Sequence, residues 1–197
     1  NLFHLLTHTS GLMAAIPSAP LEVVTNVTRL TEWVAAQRPE ALPGERVNYS
    51  IIVAHAVLAE LVRRVDRAGR SFGRIITEDL FEPLGMRDTS FELRAYMRER
   101  LVPAAARTPD GIVPIEFEFP SDADFHMGGG GLYSTGPDYL RFTRMILNGG
   151  TLDGARVLGQ DTVTLMGQNA IGDLTVPPFV SDNPAVALSA ELFPGQV

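Results

Sequence analysis

The sequence predicts an α+β chain in which helices dominate and strands are few and short. Three observations carry this. From Ser50 to about Ala68, Ile51, Ile52, Val53, Ala54, Ala56, Val57, Leu58, Leu61, Val62 and Val65 make the early turns apolar around nearly the whole circumference, the pattern of a buried helix. Asp138 to Asn148 repeats an apolar stripe through Leu140, Phe142, Met145, Ile146 and Leu147. Ile112, Ile115, Phe117 and Phe119 instead show partial alternation, the mark of short strands or ordered loop.

Taken in order, Leu2, Leu5 and Leu6 share one face of a first helix over residues 1–10, which Gly11 would cap with left-handed backbone. Residues 12–27 contain Pro17 and Pro20 and read as loop. A short helix over 28–37 ends before Pro39, and Pro43-Gly44 marks a turn. Gly69 stops the buried helix. Ser71 to about Phe81 forms the next one, closed by Pro83-Leu84-Gly85-Met86. The glycine run Gly128–Gly131 precedes Thr135-Gly136-Pro137-Asp138, whose capping-box spacing and early proline start the 138–148 helix. Gly149-Gly150 ends it. Gln160 to Met166 is a last short helix, and 172–197 is loop with Pro177, Pro178, Pro184 and Pro194.

Length and composition fit one domain or a large part of one: 197 residues, 45% hydrophobic and 20% charged. A net charge of −7 speaks against a nucleic-acid surface, which needs clustered positive charge. Arg63, Arg64, Arg67, Arg70 and Arg74 form only a loose group, read as the solvated end of a helix. There is no cysteine, so thiolate chemistry and disulfides are excluded, and a cytoplasmic location is expected. No apolar run reaches the roughly 18 to 20 residues of a membrane span. Asn1 is not a methionine and opens inside a helical pattern, so the chain reads as an internal piece. All 16 basic residues are arginine; there is no lysine.

Several constellations invite chemistry. His4 and His8 have metal-ligand spacing on a helix, but Leu5 stands where a zincin carries glutamate, and zinc needs three or four ligands. No metal site is expected. The glycine run lacks the spaced glycines and acidic partner of a dinucleotide fingerprint, and is read as backbone that admits a neighbouring chain or substrate. Ser134 and Thr135 are read as helix-capping residues, and His55 as a core histidine. Tyr49 stands at the entrance of the buried helix, where a tyrosine ordinarily packs and can move protons only in a suitable site.

Four segments shift that balance. Leu5-Leu6-Thr7-His8-Thr9-Ser10-Gly11-Leu12, Tyr49-Ser50, Phe81-Glu82-Pro83-Leu84-Gly85-Met86-Arg87-Asp88-Thr89, and Gly129 to Thr135 with Pro137-Asp138 resemble, in order, motifs of serine β-lactamase-related and penicillin-binding-protein-like hydrolases. The resemblance implies a β-lactamase/transpeptidase-like fold, of which this chain is mostly the helical region. It implies that Tyr49 is catalytic and that Gly129 and Gly130 bind substrate. It also implies an acyl-enzyme mechanism in which a Ser-x-x-Lys pair, one helical turn apart, supplies nucleophile and activator. With no lysine in the sequence, neither Ser-x-x-Lys nor a Lys-Thr-Gly element is present, so an incomplete and inactive piece is expected. Its apolar helix faces would lack the family's sheet, making it poorly stable or prone to associate.

Ile51 refines the resemblance. Class C β-lactamases and D-alanyl-D-alanine peptidases carry Tyr-x-Asn, whereas an apolar third residue resembles family VIII carboxylesterases, as do Gln168–Leu174 and Leu192-Phe193-Pro194-Gly195. The expected partner is a small ester, with no cofactor, nucleic acid or membrane span; the oligomeric state stays open. A lactamase or peptidase, and a non-catalytic relative used as a binding module, are the alternatives.

Overall fold

The chain is described by a computed structural model over residues 1–14, 19–50, 52–108 and 111–177. Ile51, and the stretch from 178 onward that includes Leu192-Phe193-Pro194-Gly195, lie outside the described residues.

Helix α1 (Leu2–Leu6) opens on Asn1, whose Oδ1 accepts from the His4 amide at 3.1 Å. It ends sooner than Gly11. The Thr9 amide returns to the His4 carbonyl at 2.9 Å and the His8 amide to Leu5 at 3.3 Å, the paired bonds of a Schellman ending. The left-handed residue this ending requires is His8, at φ 54°. Gly11, at φ 77°, makes a second bend, and a Cβ there would meet the Ala41 carbonyl oxygen.

Short α2 (Leu21–Val24) occupies part of the expected loop, and α3 (Val27–Ala35) follows, capped by Asn26 Oδ1 on the Arg29 amide at 2.9 Å. Helix α4 (Val53–Val65) packs against α3. Val27, Leu30, Val34, Val53, Ala56, Ala59, Phe72, Phe91 and Met127 form their shared core. The apolar circumference of α4 is not buried throughout. Leu61, Val62 and Val65 are exposed, whereas Glu60 is inside, accepting from Thr28, Arg63 and Arg64. Arg63 and Arg64, their side chains still exposed to solvent, thus close over a carboxylate, and Arg70 pairs with Asp66, Glu78 and Asp79.

Helix α5 (Phe72–Ile76) runs through a π turn, Thr77–Phe81, into α6 (Glu82–Leu84). Pro83 explains the wider turn. It offers no N–H, and its ring would crowd the carbonyl four residues back in a regular helix; here Glu82 N donates to Thr77 O, five back. Gly85 then caps at φ 64°. Helix α7 (Ala95–Arg98) leads to an antiparallel hairpin of β1 (Ala104–Thr108) and β2 (Gly111–Ile115), register Ala104↔Ile115. Every residue of β2 is exposed, so the alternation expected over 112–119 serves no buried face. Helix α8 (Gly136–Leu147), hairpin β3 (Thr151–Leu152) and β4 (Ala155–Arg156), and α9 (Gln160–Met166) complete the described chain. Phe81, Leu84, Met86, Met145 and Leu152 make a second core beneath α8.

Two of the sequence motifs meet at the start of α8. Asp138, buried, accepts from the Asp88 amide at 2.8 Å and Thr89 Oγ1 at 2.9 Å, while Thr89 Oγ1 and Ser134 Oγ lie 2.8 Å apart. Thr135 caps α8 as expected, and Ser134 instead ties the helix to Thr89.

Candidate active site

The loop after α1 and the 40–50 loop are laced together by backbone bonds. Glu40 N reaches Gly11 O at 2.8 Å, Gly44 N reaches Thr9 O at 2.7 Å and Asn48 N reaches His8 O at 2.8 Å. Asn48 Nδ2 adds bonds to Leu12 O at 2.8 Å and Glu40 Oε2 at 2.7 Å. This lacing fixes where the chain enters α4 and therefore where Tyr49 stands.

Ser50 is the pin of that entrance. Almost wholly buried, its Oγ donates to Met13 O at 2.8 Å and accepts from the Ala54 amide at 3.1 Å. The second bond satisfies one amide of the first turn of α4. A hydroxyl spent in both directions inside the protein is a structural group and not a nucleophile. The Ser50 amide in turn donates to His8 Nδ1 at 3.3 Å.

Tyr49, by contrast, is 47% exposed. Its ring meets the His8 ring edge-on with centroids 4.7 Å apart and the His55 ring at 6.4 Å; the two imidazoles are 5.2 Å apart. Burial pushes His8 below the ordinary histidine value, and the neighbouring His55 pushes it the same way. His8 is therefore a neutral imidazole at neutral pH, and with Nδ1 accepting a bond its proton resides on Nε2. The result is a phenol open to solvent, flanked by two imidazoles on a rigid helix entrance. Such a group can exchange a proton with a molecule bound above it.

His55, expected in the core, is only half-buried and faces this cluster. The glycine run begins alongside. A Cβ on Gly128 would stand 2.7 Å from the His55 carbonyl oxygen, so the run lies directly on α4, and the neighbouring chain it admits is the α4 backbone. Gly129 and Gly130 follow, exposed, and a Cβ on Gly130 would enter open space. His8, weighed from sequence only as a metal ligand, is the site residue that sequence reasoning missed. His126 belongs instead to the packing around Phe91: it stacks on that ring at 4.5 Å, packs over Gly73, and is held below the ordinary histidine value by burial. Among the described residues no helix is long and apolar enough to cross a membrane.

Residues 1–178 match the family model described as beta-lactamase, and the chain belongs to that family. Protein Rv1367c of Mycobacterium tuberculosis is 37% identical over 183 residues, covering 86% of this chain and 44% of that protein. The D-alanyl-D-alanine-carboxypeptidase/endopeptidase AmpH of Escherichia coli K12 is 28% identical over 152 residues, covering 75% of this chain and 36% of its own length. The chain thus spans less than half the length of these relatives. Among solved structures, a family VIII carboxylesterase superposes with a TM-score of 0.70 at 21% identity, over 86% of this chain and 49% of that one. A class C beta-lactamase gives 0.61 at 21% identity, over 83% and 42%. The likeness is one of fold: the α+β, β-lactamase/transpeptidase-like architecture is the one this chain belongs to. As a member of this family, it is related to serine hydrolases.

Proposed function

We propose that residues 1–197 are an internal part of a single β-lactamase-related domain in a longer, cytoplasmic serine hydrolase that cleaves carboxylic esters. The observation that carries this reading is Tyr49, solvent-open yet flanked by His8 and His55 at the pinned entrance of α4. In this reading the Ser-x-x-Lys pair and the closing strands belong to the rest of that protein, since the sequence holds no lysine. The serine oxygen bonds to the ester carbonyl carbon, its proton passing to the lysine–tyrosine pair. The tetrahedral adduct collapses, the alkoxide takes that proton and leaves as alcohol, and an acyl-enzyme remains. Water then repeats the sequence, releasing the acid and returning the proton to the serine. Gly129 and Gly130 line the substrate. Alone, the 197 residues turn nothing over.

Support for an ester over a lactam or peptide is Ile51, which stands where Tyr-x-Asn enzymes carry an amide. A β-lactamase or D-alanyl-D-alanine carboxypeptidase is the second reading, supported by the fold likeness to a class C beta-lactamase and the similarity to AmpH. Full-length protein assayed with short p-nitrophenyl esters, a chromogenic cephalosporin and a D-alanyl-D-alanine peptide separates them: ester turnover is expected to be fastest, and faster turnover of either other substrate overturns the preference. Tyr49→Phe should lower kcat by about a hundredfold or more with folding retained. Near-normal activity removes Tyr49 from the mechanism, and a full-length sequence without Ser-x-x-Lys removes catalysis in favour of a binding role.

A further inference from the structure

His8 occupies a conformation that costs energy for any residue with a Cβ. It is the left-handed residue of the α1 Schellman ending, at φ 54°, where glycine or asparagine is preferred. Nothing in the ending itself needs an imidazole, because its two closing bonds use only the backbone amides of His8 and Thr9. Strain of this kind persists where the side chain has work to do. The side chain has three engagements, one with the His55 ring at 5.2 Å and two with the Tyr49-Ser50 dipeptide. Nδ1 accepts the Ser50 amide at 3.3 Å, and the ring lies against the Tyr49 ring at 4.7 Å.

We propose that His8 is a positioning residue for Tyr49: its Nδ1, aimed by the left-handed backbone, holds the Ser50 amide and so fixes where the Tyr49 phenol stands. The assignment rests on the reading of Tyr49 as the proton relay. The neighbouring bonds make the inference mechanical. Ser50 Oγ is anchored on one side by Met13 O and Ala54 N, and the backbone before Tyr49 is anchored by Asn48 N on His8 O. Between those anchors, the Ser50 amide directly follows Tyr49, and the imidazole holds it. His8 thus grips the helix entrance twice, by its carbonyl and by its ring.

The test uses full-length enzyme and a p-nitrophenyl ester. His8→Gly suits the left-handed backbone and removes the acceptor. It should lower kcat by about tenfold while KM changes by less than about twofold, the signature of a displaced catalytic group. His8→Asn also tolerates left-handed backbone, and its Oδ1 stands near the place of Nδ1, so it should restore most of that rate. A glycine variant with wild-type kcat, or equal losses in the two variants, overturns the assignment. Tyr49→Phe separates the two readings. If it keeps its rate, the relay reading has failed; if it loses its rate while His8→Gly does not, only the role of His8 falls. Nitrogen-15 NMR of the wild-type imidazole supplies a check independent of how any variant folds. The Nε2-protonated tautomer is expected, and an Nδ1-protonated ring overturns the proposal.

Discussion

Glu60 sits among apolar residues on the face of α4 that meets α3, 1% exposed, where an unpaired carboxylate would be expensive. The hydrogen bond from Arg63 is the largest influence drawing its pKa down from 4.5 to about 2, with Arg64 and Thr28 adding to it against the opposing effect of burial. A depressed carboxylate stabilises the fold wherever the unfolded group is ionised. That contribution is complete above about pH 4.5 and is lost as the pH falls through about 2. Glu60→Gln should therefore cost about 1–3 kcal/mol near neutral pH, and the gap to wild type should hold down to about pH 4.5 and close towards pH 2. Urea unfolding across that range checks it; a gap independent of pH would refute the ion-pair account. Sequence showed the arginines but not their partner, because a glutamate one or two turns back on an apolar helix looks like any surface charge. Residue-scale legibility was uneven for the same reason at the site. Tyr49 was singled out by the motif around it, whereas its contact with His8 was hidden because glycine rules placed the left-handed cap at Gly11.

At the scale of elements, periodicity made α3, α4 and α8 legible to within a few residues, since each turns an apolar face to a core; α9 was legible too, although none of its residues is buried. Their surroundings were less so. The π turn at Thr77–Phe81 follows from Pro83 acting on a carbonyl several residues earlier, which apolar spacing does not encode. The first strand, Ala-Ala-Ala-Arg-Thr, pairs with a fully exposed partner and so shows no alternation to detect. The glycine run illustrates how contact divides identical residues. Gly128 rests on α4, where a Cβ would meet the His55 carbonyl oxygen at 2.7 Å, whereas Gly130 faces open space. Gly128→Ala must push the loop off the helix and should cost about 1–3 kcal/mol; Gly130→Ala should change stability by no more than about 0.5 kcal/mol. Comparable unfolding midpoints for the two variants would mean that the run does not bear on α4. Because the same contact adjoins His55, the first substitution should, on the proposed function, also lower ester turnover by the full-length protein.

For the whole molecule, the imbalance lies between its two cores and its surface. The α3–α4 core and the cluster beneath α8 are closed, but large apolar side chains remain in water elsewhere. On α1, Leu2, Phe3 and Leu6 are 51%, 54% and 62% exposed, and on α8 Leu140 and Leu147 are also open, as are Leu165 and Met166 on α9. Grouped on single helix faces, such residues behave differently from scattered surface leucines, because together they leave patches that water solvates poorly. A net charge of −7 opposes close approach of copies, but at physiological salt the Debye length is only about 8 Å, so the repulsion is confined to short range. Residues 1–197 produced by themselves should therefore associate in a concentration-dependent way, bind an apolar dye such as ANS, and do both more strongly as salt is raised. Sedimentation velocity over a range of protein and salt concentrations measures this. A monomer that stays monodisperse, unfolds cooperatively and leaves the dye dark would mean that these faces are stable in water as they stand. The expectation of an incomplete unit would then lose its physical basis, leaving the missing lysine and the partial span of its relatives to support it.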